Sequence, residues 1–142
     1  MPLENIVSLE HEWQARGVGK LPGLLGIEIV EMREGRVEAR LPIRSELLAP
    51  NGFLHAATVI ALADTACGYG CFAFLAEGRA GFTTVELKAN FLGTARGGAI
   101  SCVATLMHGG RTTQVWDAEV RDERTEKAIA LFRCTQLLLG QE

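Results

Sequence analysis

Thirty residues separate Glu46 from Glu77, and among them only Asp64 carries a formal charge. It sits in His55-Ala-Ala-Thr-Val-Ile-Ala-Leu-Ala-Asp64-Thr-Ala-Cys-Gly-Tyr-Gly-Cys71, where the neighbouring side chains offer a carboxylate little solvation. Removing an ionised carboxylate from water is costly unless hydrogen bonds replace the water, and desolvation pushes its pKa upward. A carboxylate so placed is suited to take a proton from water or to attack an electrophilic carbon. The competing reading is a capping or helix-surface aspartate that reaches solvent.

Other residues near it invite chemistry and receive plainer readings. His55 either orients the preceding loop or an acyl group, or closes the start of the helix with a hydrogen bond; it is a poor candidate for the base. Cys67 and Cys71 lie one helical turn apart, and packing on an apolar face explains them better than redox chemistry. Cys102 and Cys134 also fall in apolar runs, without Cys-x-x-Cys or Cys/His spacing, so four buried thiols in a reducing compartment are expected. No His/Asp/Glu cluster has metal-ligand spacing, and no metal is expected.

Charge and composition narrow the function classes. The formal charge is -3 and the pI about 5.7, with Lys and Arg scattered rather than striped, which argues against nucleic acid or an anionic membrane as partner. The first twenty residues carry Glu4, Glu10, Glu12, Arg16 and Lys20 in place of an apolar secretory core, so a cytoplasmic protein is expected. Residues 56–76 nearly reach bilayer-spanning length, but they include Asp64, Thr58, Thr65 and two glycines and lack basic flanks. A helix buried in protein is the expectation.

The elements that must position Asp64 follow from periodicity. Residues 3–16 read as a short amphipathic helix with Ile6, Leu9 and Trp13 on one face, and Gly and Pro breaks follow it. Residues 24–32 and 36–43 alternate around Arg33-Glu34-Gly35 as a hairpin, and 44–54 form a loop turning at Pro50, Asn51 and Gly52. The apolar helix spans 55–75. Strands follow at 82–91, 99–108, 112–122 and 128–139. One domain over 1–142 is expected, with 1–20 as an N-terminal helical segment. A helix without a polar face must be wrapped, so the fold class is α+β: an antiparallel sheet of five to six strands curled around one long central helix. Its long edge strand invites pairing with a second copy.

The order of these elements, Asp64 nine residues after His55, and the segment Thr84-Val-Glu-Leu-Lys-Ala-Asn-Phe91 together resemble the hotdog-fold acyl-CoA thioesterases of the phenylacetate-degradation (PaaI-like) type. The similarity covers residues 24–139. Leu-Ala-Asp64-Thr-Ala is its most specific part, and Gly110-Arg-Thr-Thr113 resembles the turn and strand start that approach coenzyme A in such enzymes. The resemblance implies that Asp64 is the catalytic carboxylate and that the backbone N–H of Ala56, at the helix N-terminus, belongs to the oxyanion hole. It implies that Thr84 helps place water or the carboxylate, although a plain strand threonine fits as well. Arg111, Thr112 and Thr113 would hold the nucleotide of coenzyme A, with Arg96 and Asn90 as further contacts.

Three departures mark this chain. His55-Ala56-Ala57 stands where the family usually has His-Gly-Gly, which keeps the N–H donors but adds methyl groups beside the carbonyl's seat. Ala49 occupies the usual Asn/Gln position six residues before the histidine; Asn51 could supply an amide, or could be an ordinary turn residue. The usual Arg-Pro after Asn-Phe-Leu is Gly93-Thr94, leaving Arg96 as the nearby cation or as a solvated loop arginine.

Eight residues separate Ala56 from Asp64, about 12 Å along a helix at 1.5 Å per residue, so one thioester carbonyl cannot touch both within a chain. Two copies with antiparallel central helices would bring the N-terminus of one beside Asp64 of the other. A homodimer, or a dimer of dimers, with two composite sites per dimer is therefore expected. The function implied is hydrolysis of an acyl-CoA thioester with no cofactor, coenzyme A being part of the substrate. The alternatives are a hotdog hydratase or dehydratase and a non-catalytic acyl-CoA-binding protein. The acyl group is left open.

Overall fold

In the computed structural model residues 7–140 are described, and their arrangement is set by the need to cover one apolar helix. That helix, labelled α3 below, spans Ala56–Ala73 and buries Val59, Leu62, Ala63, Ala66, Cys67 and Cys71. By length and composition alone it could cross a bilayer. Here it lies instead against the sheet, packing on all six strands.

Two helices precede the sheet. The first, α1, spans Leu9–Arg16; the Ser8 hydroxyl accepts from the His11 N–H at 3.1 Å, with Glu10 and Glu12 in the first turn and Arg16 in the last. Of its expected face, Leu9 is half-buried and Trp13 buried, whereas residues 3–6 of the expected helix, with Ile6, lie outside the described residues. The second, α2, spans Leu21–Leu25 where only a Gly/Pro break was expected. Pro22 falls in its first turn, where an N–H has no helical partner, and Gly26 at φ 91° caps it, so the breakers serve as helix ends.

The strands are β1 (Glu28–Arg33), β2 (Arg36–Pro42), β3 (Gly81–Phe91), β4 (Ala99–Gly109), β5 (Thr113–Asp122) and β6 (Ala128–Leu139). They form one sheet in the order β1-β2-β4-β5-β6-β3, every neighbouring pair antiparallel. The six-stranded antiparallel sheet around a single long helix is the hotdog arrangement. Helix α3 is two residues shorter at its end than the apolar pattern suggests, and the strand ends shift by one residue or less after α3. Only β1 departs more, because α2 takes up residues 24 and 25.

Alternation along the strands builds the core. Val37, Ala39 and Leu41 of β2, Ile100, Cys102 and Ala104 of β4, and Trp116, Ala118 and Val120 of β5 are buried, as are Ala130, Phe132, Cys134 and Leu138 of β6. Gly70 admits Trp116 against α3: a Cβ there would lie 2.5 Å from the indole Cη2. At one edge, α1 satisfies the outer strand. Gln14 accepts from Ile29 N–H at 2.6 Å and donates to the Ile27 carbonyl at 2.8 Å, and Glu10 accepts from Met32 N–H at 2.8 Å. At the other edge β3 has no strand beyond it, and Val85, Leu87 and Phe91 are exposed there.

Candidate active site

Asp64 projects from the middle of α3 at the boundary between the core and an opening. Ala63 and Ala66 beside it are fully buried, whereas Asp64 itself is half-buried. Its Oδ1 is buried without a hydrogen-bond partner. Burial raises its pKa, since the charged form loses water, and the neighbouring Thr84 hydroxyl opposes that shift. The Thr84 hydroxyl has a nearer claimant, however: it donates to Gln136 Oε1 at 2.6 Å. A β-bulge between Thr84 and Glu86 shifts the β3 register immediately after this residue.

Asp64 opens on a cavity of about 310 Å³ whose walls are aromatic. Trp13 of α1, Tyr69 and Phe72 of α3 and Phe82 of β3 line it, together with Thr65, Gly68 and Arg16. Trp13 meets Tyr69 at a tilt and Phe72 edge-on, at ring separations of 5.0 and 5.6 Å, and the Arg16 guanidinium lies 4.1 Å above the Trp13 ring. Desolvation raises the Tyr69 pKa, against the pull of Arg16.

The start of α3 holds a second group of expected residues. His55 is the N-cap, and its Nδ1 accepts from the Ala57 N–H at 2.9 Å. The next two amides, of Thr58 and Val59, turn back to the His55 carbonyl at 3.0 and 3.4 Å. Among the described residues the Ala56 N–H has no partner, and Ala56 lines a cavity of about 420 Å³ with Phe53, Leu54, Val59, Phe91, Gly93 and Thr94. Asn51 is exposed, and its side-chain oxygen accepts from the Phe53 N–H at 3.1 Å, an Asx turn that shapes the loop. Arg96 lies 4.9 Å from the Phe53 ring, near the same cavity. The Thr94 hydroxyl accepts from the Leu54 N–H at 3.1 Å and ties the two loops together.

The remaining expected contacts lie elsewhere. Arg111, Thr112 and Thr113 form the β4–β5 turn, where the Gly110 N–H donates to the Thr113 carbonyl at 2.8 Å and Arg79 donates to the Arg111 carbonyl at 2.6 Å. Gly109, Gly110, Gly70 and Phe74 share a cavity of about 240 Å³ there, which puts this turn at the C-terminal end of α3, away from Ala56. Asn90 faces outward on the sheet, in a shallow cavity with Lys88, Asp117 and Arg133. The chain thus brings Thr84 to Asp64 and gathers His55, Ala56, Asn51 and Arg96 at one helix end, but it distributes the expected coenzyme A contacts over three places. All four cysteines are free and buried, and the neighbouring Cys134 together with burial pushes the Cys67 thiol well above its ordinary pKa. Among the described residues no three His, Cys, Asp or Glu side chains are grouped so as to hold a metal ion.

Sequence reasoning missed Gln136 and the aromatic walls. Gln136 is fully buried, and it sits two residues from Cys134 and from Leu138 on the inward face of β6. A polar residue in phase with buried apolar ones was the available signal.

The chain thus has the hotdog fold, with a half-buried carboxylate on its central helix beside an aromatic-walled cavity. Residues 51–129 match the thioesterase superfamily, and the chain belongs to that family. It is 32% identical to the 1,4-dihydroxy-2-naphthoyl-CoA hydrolase of Listeria monocytogenes over 78% of this chain and 89% of that protein. It is 30% identical to the acyl-coenzyme A thioesterase PaaI of Escherichia coli over 77% of this chain and 75% of that protein. Among solved structures, a thioesterase from Haemophilus influenzae superposes with a TM-score of 0.85 at 29% identity, covering 99% of this chain and 96% of that one. The protein is a thioester hydrolase of the PaaI-like kind.

Proposed function

We propose that the protein hydrolyses an acyl-CoA thioester in a site shared between two copies of the chain. The observation that carries this is the buried, unpartnered Oδ1 of Asp64 at the mouth of the aromatic chamber. A carboxylate held there without donors is basic enough to deprotonate water, or free to attack the thioester carbon itself. The unused Ala56 N–H, at the positive end of the α3 dipole, is suited to the oxyanion of the tetrahedral intermediate. Collapse of that intermediate expels the coenzyme A thiolate and leaves the free acid.

Ala56 and Asp64 stand eight residues apart on one straight helix, about 12 Å by helical rise, so the two functions meet only if the N–H comes from a second copy. The unpaired β3 edge and its exposed Val85, Leu87 and Phe91 support a homodimer, and exposed Met107 and Leu131 on the outer sheet face support a dimer of dimers. His55 caps α3 nine residues before Asp64, so within one chain it does not form the His and carboxylate pair that a hydratase needs. The aromatic chamber favours an aromatic acyl group, in keeping with the name of the Listeria relative. Arg111, Thr112 and Thr113 are assigned to the nucleotide, with Arg96 and Asn90 as outer contacts. Coenzyme A enters as substrate, with no cofactor. The free thiols support a reducing, cytoplasmic setting.

The test is a panel of acyl-CoAs assayed by detection of the released thiol. Aromatic thioesters are expected to exceed straight-chain ones in kcat/KM, with turnover lost in Asp64→Asn. No release from any thioester, or equal release by Asp64→Asn, refutes the proposal.

A further inference from the structure

The Thr84 hydroxyl carries one proton and has two claimants, the Asp64 carboxyl and the Gln136 amide oxygen. At 2.6 Å the bond to Gln136 Oε1 is short and well formed, and Asp64 Oδ1 is left buried with no donor. Gln136 is itself 0% exposed, and its Nε2 has no partner. A fully buried glutamine with half its amide unsatisfied is a costly residue to keep for packing alone. Strand register explains its place: Gln136 pairs with Thr84 across β3–β6, directly before the bulge. On its other side stands Gln114, whose Oε1 already accepts from Trp116 Nε1 at 2.7 Å.

We infer that Gln136 is a positioning residue: by taking the Thr84 proton it withholds a hydrogen bond from the Asp64 carboxylate and so keeps that carboxylate a strong proton acceptor. This rests on the catalytic reading of Asp64 given above. With its one proton given to Gln136, the Thr84 hydroxyl is left to Asp64 as an acceptor only, which suits the protonated acid and does nothing for the anion. Other groups around Asp64 do not substitute for this control. Arg16 of α1 and Tyr69 of α3 share its cavity, and on its own helix the buried Cys67 thiol feels its charge while contacting Cys134 of β6. From β2, β4 and β5 the buried side chains are apolar apart from the Cys102 thiol and Asp122, which lies at the end of β5 and accepts from the Arg124 N–H at 3.0 Å. Helix α2, Leu-Pro-Gly-Leu-Leu, contributes no titratable group.

The inference fixes a sign. Gln136→Met keeps the volume, releases the Thr84 proton to Asp64 and should move the acidic limb of the kcat/KM profile to lower pH by about one unit. Thr84→Val should leave the limb in place or lower it, and adding Gln136→Met to Thr84→Val should cause no further shift. With the amide turned over, Nε2 would donate to Thr84 and Thr84 to Asp64. Both single substitutions would then move the limb upward, and that result overturns the inference, as does an unmoved limb in Gln136→Met. A residue that merely packs would change thermal stability and the plateau rate without moving the limb. The carboxyl titration of Asp64, followed by carbon-13 NMR and assigned against Asp64→Asn, gives the same sign without using activity. If Asp64→Asn remains active, the catalytic reading fails while this titration still decides the role of Gln136; if Asp64→Asn is inactive and the titration does not move, the inference alone fails. Should Gln136→Met not fold, Thr84→Val carries the test through the same limb and titration.

Discussion

Ala56→Pro removes the N–H proposed as the oxyanion donor and leaves the helix that presents it. Proline at the first helical position removes an N–H that has no helical partner, and the ring's fixed φ suits the first turn. The geometry here accepts it. Among the described residues the Ala56 N–H donates to nothing, and the preceding His55 sits at φ -67° and ψ 135°, in the extended region that a residue before proline prefers. The cap from Ala57 to His55 Nδ1 at 2.9 Å does not use the altered atom. Stability should therefore hold while the oxyanion loses one donor, a loss worth about 2.7–4 kcal/mol of transition-state stabilisation, or roughly 10²–10³ in kcat. Ala56→Gly restores the donor without the methyl and should stay within a few-fold of wild type. The assay is steady-state thiol release beside thermal unfolding. An Ala56→Pro protein that folds and keeps kcat within about threefold refutes the oxyanion assignment.

The same variant tests the shared site. In a mixed dimer of Ala56→Pro and Asp64→Asn chains, one site inherits both lesions and the other neither, if carboxylate and donor come from different copies. Random mixing in equal amounts makes about half of the dimers mixed, each with one working site of two, so about a quarter of wild-type activity should return. If both groups act within one chain, every site keeps a lesion and nothing returns.

Asp64→Asn should lower kcat by roughly 10² or more with the fold intact. Because burial raises the Asp64 pKa, the folded chain binds this proton more tightly than the unfolded one; ionisation therefore costs stability above the folded pKa, and the cost disappears as pH falls below the ordinary carboxylate range. The Tm advantage of Asp64→Asn over wild type should thus be present at neutral pH and vanish in acid, and calorimetry across that range checks it. Arg111→Ala should raise KM for the full acyl-CoA, leave kcat within a few-fold, and not affect a pantetheine thioester lacking the nucleotide; equal KM values would remove Arg111 from the nucleotide site. Gly70→Ala forces a Cβ to 2.5 Å from the Trp116 ring and should cost about 1–3 kcal/mol in denaturant unfolding.

What the chain reveals without coordinates is whatever repeats along it, and what it hides is whatever depends on two distant strands meeting. Helix α3 announces itself because apolar residues on every face need a wrapping sheet, and Asp64 because a lone charge in such a helix needs a reason. Residues 99–139 alternate cleanly enough for β4, β5 and β6 to be placed within a residue. Helix α2 escaped because Pro22 and Gly26 read as breaks, although both residue types are at home at helix ends. Gln136 was harder. Its neighbours Cys-Thr-Gln-Leu-Leu look like any strand with an outward polar residue, and only counting in twos from Phe132 and Cys134 turns it inward. Even then, nothing local says that Thr84, fifty-two residues earlier, lies opposite it. The pairing of β3 with β6 closes that distance, and the bulge beyond Thr84 fixes which side chain meets the amide. The aromatic chamber has the same origin: Trp13, Phe72 and Phe82 come from three elements, and each reads in isolation as one more apolar residue of its own face. A candidate carboxylate can be found by its isolation in sequence, but the groups that face it are found through strand register, since their chemistry lies in whom they meet.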